Sequence, residues 1–320
     1  MNNNLIVYKN CSRGGVSSVI RGRARANPEA HYDAVFELNK GGVATFADFP
    51  NLSCRVVGSQ LTEYTNHILA NRQYDCVSVL SNPQLANTLE VPDSTELIYE
   101  IHSGAFSVVK KEFEVLDQSR IDVFRVPSQY SAFHVLPMLK PRFRRRLEVV
   151  PNIVDTYFFN TEADAPYHTF SDEITPLIWV GRFDRGKGPK YLLRLLAQLP
   201  ERFHAFVVIS LETQPGPASD FFAEAESLRV EDRVHLRMNL SSSELASFYR
   251  GAARRGGSFI STSLVESFGY ALVEAPSCGL NVVAFDLPVI HEHSNFHAQM
   301  TTVQRGNVEE MATVLTSNEV

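Results

Sequence analysis

Short apolar, β-branched runs alternate with helical patterns along the whole chain. A first series covers residues 5–8, 34–38, 54–57, 76–80, 97–102, 123–126 and 147–150. A second covers 177–181, 205–211, 234–238, 258–262 and 282–285. Each run is apolar on both faces, as strands covered by helices on two sides must be. Between them lie segments such as 191–199, where Leu192, Leu195, Leu196 and Leu199 form one helical stripe. The alternation predicts an α/β fold of parallel sheets built from right-handed crossovers. The stretch 152–176 is polar, proline-bearing and without clean periodicity, and it separates the two series. At 320 residues the chain exceeds what one ordinary core holds. Two Rossmann-like domains are therefore predicted, 1–170 with the linker and 171–320. A cleft lined by the carboxyl ends of both sheets is where ligands of such sheets bind.

Composition narrows the class. With 44% hydrophobic residues the chain is not disordered. Thirty basic against 36 acidic residues leave a net charge of −6, so nothing global favours nucleic acid, and none is expected as a partner. Cys11, Cys54, Cys76 and Cys278 are scattered, with no C-x-x-C spacing, which points to reduced thiols rather than a disulfide framework or zinc knuckle. No apolar run reaches the ~18 residues of a membrane span. The opening MNNNLIVYKN lacks a basic n-region and reads as a first strand rather than a signal peptide, so a cytoplasmic location is expected.

Four stretches carry candidate chemistry. VGRFDRGKG, residues 180–188, follows a strand and precedes a helix. Gly181, Gly186 and Gly188 permit a tight turn and close approach of a ligand, while Arg182 and Lys187 place two cations at the strand's carboxyl end. A solvated basic turn is the plain alternative, and the string is not a Walker loop. ESFGYALVEAPSCG, residues 266–279, puts Ser267, Phe268 and Gly269 where a helix must begin, and a helix start binds anions such as a diphosphate. Glu266 precedes that helix and Glu274 lies two turns into it, about 10–12 Å away on one side. That exceeds the roughly 5–9.5 Å of a glycosidase pair and suits two ends of an elongated ligand. A capping Glu266 and a solvated Glu274 are the plain alternative. NCSRGGVSSVI, residues 10–20, follows the first strand, and its Gly14-Gly15 pair either approaches a phosphate or makes an ordinary turn. In YEIHSGAF, His102 stands at a strand end, where it either orients or transfers protons or is structural.

In this order the motifs resemble a retaining glycosyltransferase of the GT-B fold, and more narrowly glycosyltransferase family four. Glu266 and Glu274 match the E-x(7)-E signature, and VGRFDRGKG matches the family's strand, G-R and K-G pattern. VVPNIVDTYFF (149–159) matches its P-N, V-D, aromatic string, and RVHLRMNLSSSELASFYRGA matches the family's strand-loop-helix before the E-x(7)-E region. The resemblance is specific over 147–290 and weaker in the first 140 residues. It implies that Arg182 and Lys187 neutralise the diphosphate of a nucleotide-sugar donor, UDP- or GDP-linked. Phe268, Gly269 and Tyr270 would contact donor phosphates and sugar through backbone amides. Glu266 would hold hydroxyls of the transferred sugar, Glu274 the ribose, and Arg237 and Met238 would border the base. Gly14 and Gly15 would approach the diphosphate, and His102 would stand beside the reacting sugar. It also implies transfer with retention by front-face attack, with no metal and no cofactor beyond the donor itself.

Two features depart from the family. Its Gly-Asp-Gly-Pro-like turn reads ISLETQPGPAS here, and the chain stops soon after VEEMATVLTSNEV, where many relatives continue with helices that cross back onto the first domain. That end is expected to be either a compact version or a truncation. RGRARA (21–26) and KPRFRRR (140–146) concentrate positive charge and offer either solvated faces or a docking surface for an anionic membrane carrying a glycan or lipid-linked acceptor. His291, His293 and His297 hint at a metal, but loop histidines without a remote ligand are ordinarily structural, and no metal is expected. Three alternatives remain: an α-glucan enzyme on the same fold, a catalytically silent GT-B protein supporting a partner transferase, and a dinucleotide oxidoreductase. The absence of G-x-G-x-x-G after any strand speaks against the last.

Overall fold

The computed structural model describes residues 2–162, 164–210 and 215–317; the side chains of Pro215, Ser294 and His297 also fall outside the description. It divides into two compact units, Met1–Asp155 and Thr156–Val320. In the first unit the strands are β1 (Asn3–Ser12), β2 (His31–Lys40), β3 (Leu52–Val56), β4 (Cys76–Leu80), β5 (Glu96–Glu100), β6 (Val123–Val126) and β7 (Leu147–Val149). The helices are α1 (Gly15–Ala26), α2 (Leu61–Asn71), α3 (Pro83–Thr88), α4 (Phe106–Val115) and α5 (Gln129–Val135). Among the described residues the strands form one parallel sheet in the order β3-β2-β1-β4-β5-β6-β7. Its two faces bury separate clusters, one around Val7, Val79, Tyr99 and Phe124, the other around Ile6, Ile20, Phe36 and Phe46. That is why its strands read as unbroken apolar runs.

The second unit holds β8 (Thr175–Val180), α6 (Pro189–Leu196), β9 (Phe203–Ile209), α7 (Pro215–Ser227), β10 (Val234–Met238), α8 (Ser242–Arg254), β11 (Ser258–Ser261), α9 (Tyr270–Ser277), β12 (Asn281–Phe285), β13 (Met300–Val303) and α10 (Val308–Ser317). Its described strands are again parallel, in the order β10-β9-β8-β11-β12-β13. The leucine stripe of α6 is buried, with Leu199 just beyond the helix completing it. β13 was not predicted; MTTV is only four residues long, has two threonines at its centre and lies at the sheet's edge.

The division differs from the expected boundary near residue 170. The described residues between 156 and 170 pack on α8. Arg250, almost fully buried, donates to the carbonyls of Pro166 (2.7 Å), Phe158 (2.9 Å) and Asn160 (3.4 Å). His168 stacks on Phe248 with ring centres 4.1 Å apart, and Phe170 meets Phe206 and Phe248 edge-on. An irregular segment carries no periodicity, so its long-range partners leave no local signal.

The same side of this unit carries a histidine cluster. His204 and His235 share a hydrogen bond of 2.9 Å between Nδ1 and Nε2. Burial lowers the pKa of His168, His204, His235 and His293 below the ordinary 6.5, and nearby Arg237 or Arg233 lowers the first three further. The folded unit therefore holds these rings neutral while the unfolded chain takes up protons. Their contribution to stability is present above pH ~6.5 and is lost as pH falls through the lowered folded values. Urea midpoints of the second unit are expected to fall from about pH 7.5 to 5.5, above the range where most carboxylates titrate. A flat or rising midpoint toward acid would contradict this.

Candidate functional site

Ligands of open parallel sheets collect where the strand order reverses. In the second unit that point lies between β8 and β11, and the two strongest motifs leave the carboxyl ends of those two strands. The loop after β8 is pinned to β11. Thr262, fully buried, accepts from Trp179 Nε1 (2.9 Å) and donates to the Lys187 carbonyl (3.1 Å), while Leu264 N donates to the Gly186 carbonyl (2.7 Å). Gly188 has φ +59°, and a Cβ there would lie 2.3 Å from the Thr262 carbonyl oxygen, so only glycine fits. Asp184 accepts from the Lys187 amide (3.0 Å) and pairs with Arg182 (3.0 Å), both largely exposed.

The turn places Lys187 against Glu266, 79 positions along the chain, in an ion pair through Nζ and Oε1. Ser263 donates to the same oxygen at 2.8 Å. Glu266 is therefore committed to Lys187 and does not cap the following helix. That helix, α9, starts at Tyr270, four residues beyond Glu266, so Glu274 lies about one turn into it rather than two. Its N-cap is Gly269 at φ +79°, with no side-chain cap and no acidic residue in the first turn, which leaves the positive end of the helix to an anion. Just ahead of it, the buried Phe268 has its carbonyl held by His293 Nε2 at 2.7 Å. Glu274 is buried rather than solvated, and its charge adds to the burial that raises the Tyr249 and Cys278 pKa values. At the end of β10, Met238 is exposed, while Arg237 lies over the Phe206 and Phe248 rings. A separate cavity of 770 Å³ lies beside α8; Tyr157, Phe158 and side chains of the 233–252 stretch line it, but Arg182, Lys187, Glu266 and Glu274 do not. The convergence of loop ends and charges marks the site better than cavity size does.

In the first unit the order reverses between β1 and β4, and the Gly14-Gly15 turn leaves β1 there. Gly14 is the extended N-cap of α1, again with no side-chain cap and no acidic residue in the first turn. His102 lies two residues beyond β5, with its Nε2 2.9 Å from Glu100 Oε2. Glu100 was not singled out in the sequence, although the E-x-H spacing puts both side chains on one side of an extended chain.

The other predicted features separate. Arg21 bonds back to Ser17 and Ser18, Arg23 turns onto Glu100, and Arg25 pairs with Asp155 (3.6 Å) and lies over Phe49. Arg142, Arg144 and Arg145 are exposed around a buried Phe143. His291 pairs with Asp286 at 2.7 Å, and the His297 side chain lies outside the described residues. Among the described residues no three His, Cys, Asp or Glu side chains are grouped to hold a metal, and no helix is long and apolar enough to cross a membrane. Four residues of the variant turn, 211–214, also lie outside the description.

Residues 162–317 match the family model described as glycosyl transferases group 1. The D-inositol 3-phosphate glycosyltransferase of Xylanimonas cellulosilytica is 33% identical over 148 residues, 43% of this chain and 34% of that protein. The phosphatidylinositol N-acetylglucosaminyltransferase gpi3 subunit of Schizosaccharomyces pombe is 29% identical over 178 residues, 54% of this chain and 36% of that protein. The chain thus spans about a third of the length of these curated relatives. Among solved structures, Anabaena HepE in complex with UDP-glucose superposes with a TM-score of 0.80 at 16% identity, covering 99% of this chain and 89% of that one. Sucrose-phosphate synthase from Thermosynechococcus elongatus does so at 0.76 and 16%, with the same coverage. The chain therefore has the GT-B fold of these glycosyltransferases, and its second unit carries the pattern of the group 1 glycosyl transferases.

Proposed function

We propose that the chain is a retaining, metal-independent glycosyltransferase of the family-four kind. It moves a sugar from a UDP- or GDP-linked donor to a glycan or lipid-linked acceptor in cell-surface glycan or polysaccharide biosynthesis. The observation that carries the reading is the meeting of Lys187 and Glu266 beside the uncapped start of α9. A cation, a carboxylate and a helix dipole in one place suit a sugar diphosphate, whose leaving group gains charge as the glycosidic bond breaks. Lys187 and Arg182 take the phosphates, and the amides around Phe268, Gly269 and Tyr270 complete their cradle. Glu266 then exchanges its lysine for sugar hydroxyls, while Glu274 serves the ribose and the end of β10 at Arg237 and Met238 borders the base. From the first unit the reading takes the Gly14-Gly15 turn and His102. The departing phosphate oxygen takes the acceptor's proton, so attack comes from the face that the leaving group vacates and configuration is retained. The names of the relatives support sugar transfer, and the UDP-glucose complex of HepE supports a nucleotide-sugar donor. The exposed Arg142, Arg144 and Arg145 suit a peripheral position at the cytoplasmic face of an anionic membrane.

A thermal-shift panel with UDP-, GDP-, ADP- and CMP-sugars and the free nucleotides tests the reading. One series, uridine or guanosine, is expected to raise the melting temperature by roughly 5–10 °C at a hundredfold excess over Kd. NMR of the glycoside formed should show the donor's anomeric configuration. No shift with any nucleotide at millimolar concentration would favour a silent GT-B protein instead.

A further inference from the structure

Glu100, the last residue of β5, is fully buried, and three cationic or hydrogen-bonding groups from other parts of the first unit converge on it. Arg23 of α1 grips both carboxylate oxygens in a fork, Nη1 to Oε1 at 2.8 Å and Nη2 to Oε2 at 2.7 Å. Arg125 of β6 lies 3.7 Å from Oε1 and also reaches Glu148 of β7 at 3.4 Å. His102 Nε2 lies 2.9 Å from Oε2. Burial pushes the Glu100 carboxyl up, but Arg23 and His102 outweigh it and hold the group well below its ordinary range. An ionised carboxylate only accepts hydrogen bonds, so the hydrogen of a neutral His102 must sit on Nε2. Arg23 belongs to the helix that the Gly14-Gly15 turn opens. One carboxylate thus ties down both first-unit features of the proposed site.

We propose that Glu100 is a positioning residue for the sugar transfer: it fixes the ring direction and Nε2–H tautomer of His102 and, through Arg23, seats α1 behind the Gly14-Gly15 turn. The role rests on the transferase reading above. A merely structural Glu100 would affect folding but would not act through His102, and two measurements separate the cases. The first is the His102 tautomer, read by long-range ¹H–¹⁵N correlation in the unaltered full chain; Nε2–H is expected, and Nδ1–H overturns the proposal whether or not any variant folds. The second is a double-variant cycle on donor hydrolysis, with UDP-glucose as probe, or GDP-mannose if the guanosine series binds. Glu100→Gln is expected to lower kcat about 10- to 100-fold with little change in donor KM, the loss typical of removing a histidine's orienting partner. In a His102→Asn background the same change should add almost nothing. Full additivity overturns the proposal. If the unaltered protein hydrolyses neither donor, the transferase reading fails and the assigned role with it, even where the tautomer is as expected.

Discussion

Lys187→Ala is expected to lower the rate of sugar transfer about 100- to 1,000-fold, the usual cost of deleting one preorganised group that meets developing charge. Lys187 is held in place from three sides. Its amide is bound by Asp184, its carbonyl by Thr262, and its ammonium group by Glu266. The side chain is therefore ordered before any ligand arrives, and little ordering is needed when a diphosphate replaces the carboxylate. The variant should remain folded. Glu266 keeps its hydrogen bond from Ser263 and some contact with water, so the loss of stability should stay within about 1–3 kcal/mol. Glu266→Ala should show a comparable loss of turnover for a different reason, because it removes the proposed acceptor for the sugar's hydroxyls and leaves the cation in place. Initial rates with the donor chosen by thermal shift, beside a melting curve for each variant, check both expectations. Rates close to those of the unaltered protein in both variants would remove this pair from the site.

Gly188→Ala is expected to be strongly damaging to the second unit, because it combines a left-handed backbone with a close backbone approach. The position has φ +59°, which costs a residue with a Cβ about 1–2 kcal/mol. The added carbon would also lie 2.3 Å from the carbonyl oxygen of Thr262, a backbone atom that cannot swing aside as a side-chain tip can. Relief requires the loop to lift from β11, which breaks the bonds from Thr262 to the Lys187 carbonyl and from Leu264 to the Gly186 carbonyl. A total of about 3–4 kcal/mol is expected, and with it a fall of roughly 10 °C in the unit's melting temperature. Donor binding should weaken as well, since Lys187 moves with the loop. Gly256→Ala is the matched control, because its φ is +66° and a methyl group there meets nothing within 4 Å. If the two variants melt together, the close approach at Gly188 does not constrain the loop.

Much of the fold was legible because helices and strands are local. The apolar runs at 76–80, 123–126 and 234–238 coincide with β4, β6 and β10, and the α6 leucine stripe is buried as its spacing implies. Motif placement was legible for the same reason, since a glycine-bearing turn after a strand must stand at that strand's end. The limits show in residues whose meaning depends on distant partners. RGRARA reads as a charged surface, yet its arginines are drawn onto Glu100, Asp155 and their own helix. Glu100 itself passes as one polar position in a strand end until β5, α1 and β6 converge on it. His293 reads as part of a metal-like cluster and instead fastens the chain ahead of α9.

The amino-acid order alone determined the alternation of strands and helices, the parallel sheets that this demands, and the loops that carry the proposed donor-site groups. Each follows from backbone and side-chain preferences over a few neighbouring residues. Only the tertiary structure decided that Lys187 meets Glu266, that Glu100 gathers Arg23 and His102, and that the described residues between 156 and 170 pack with the second unit rather than the first. Those contacts join positions tens of residues apart. Strand order and register set them, and no local periodicity encodes either.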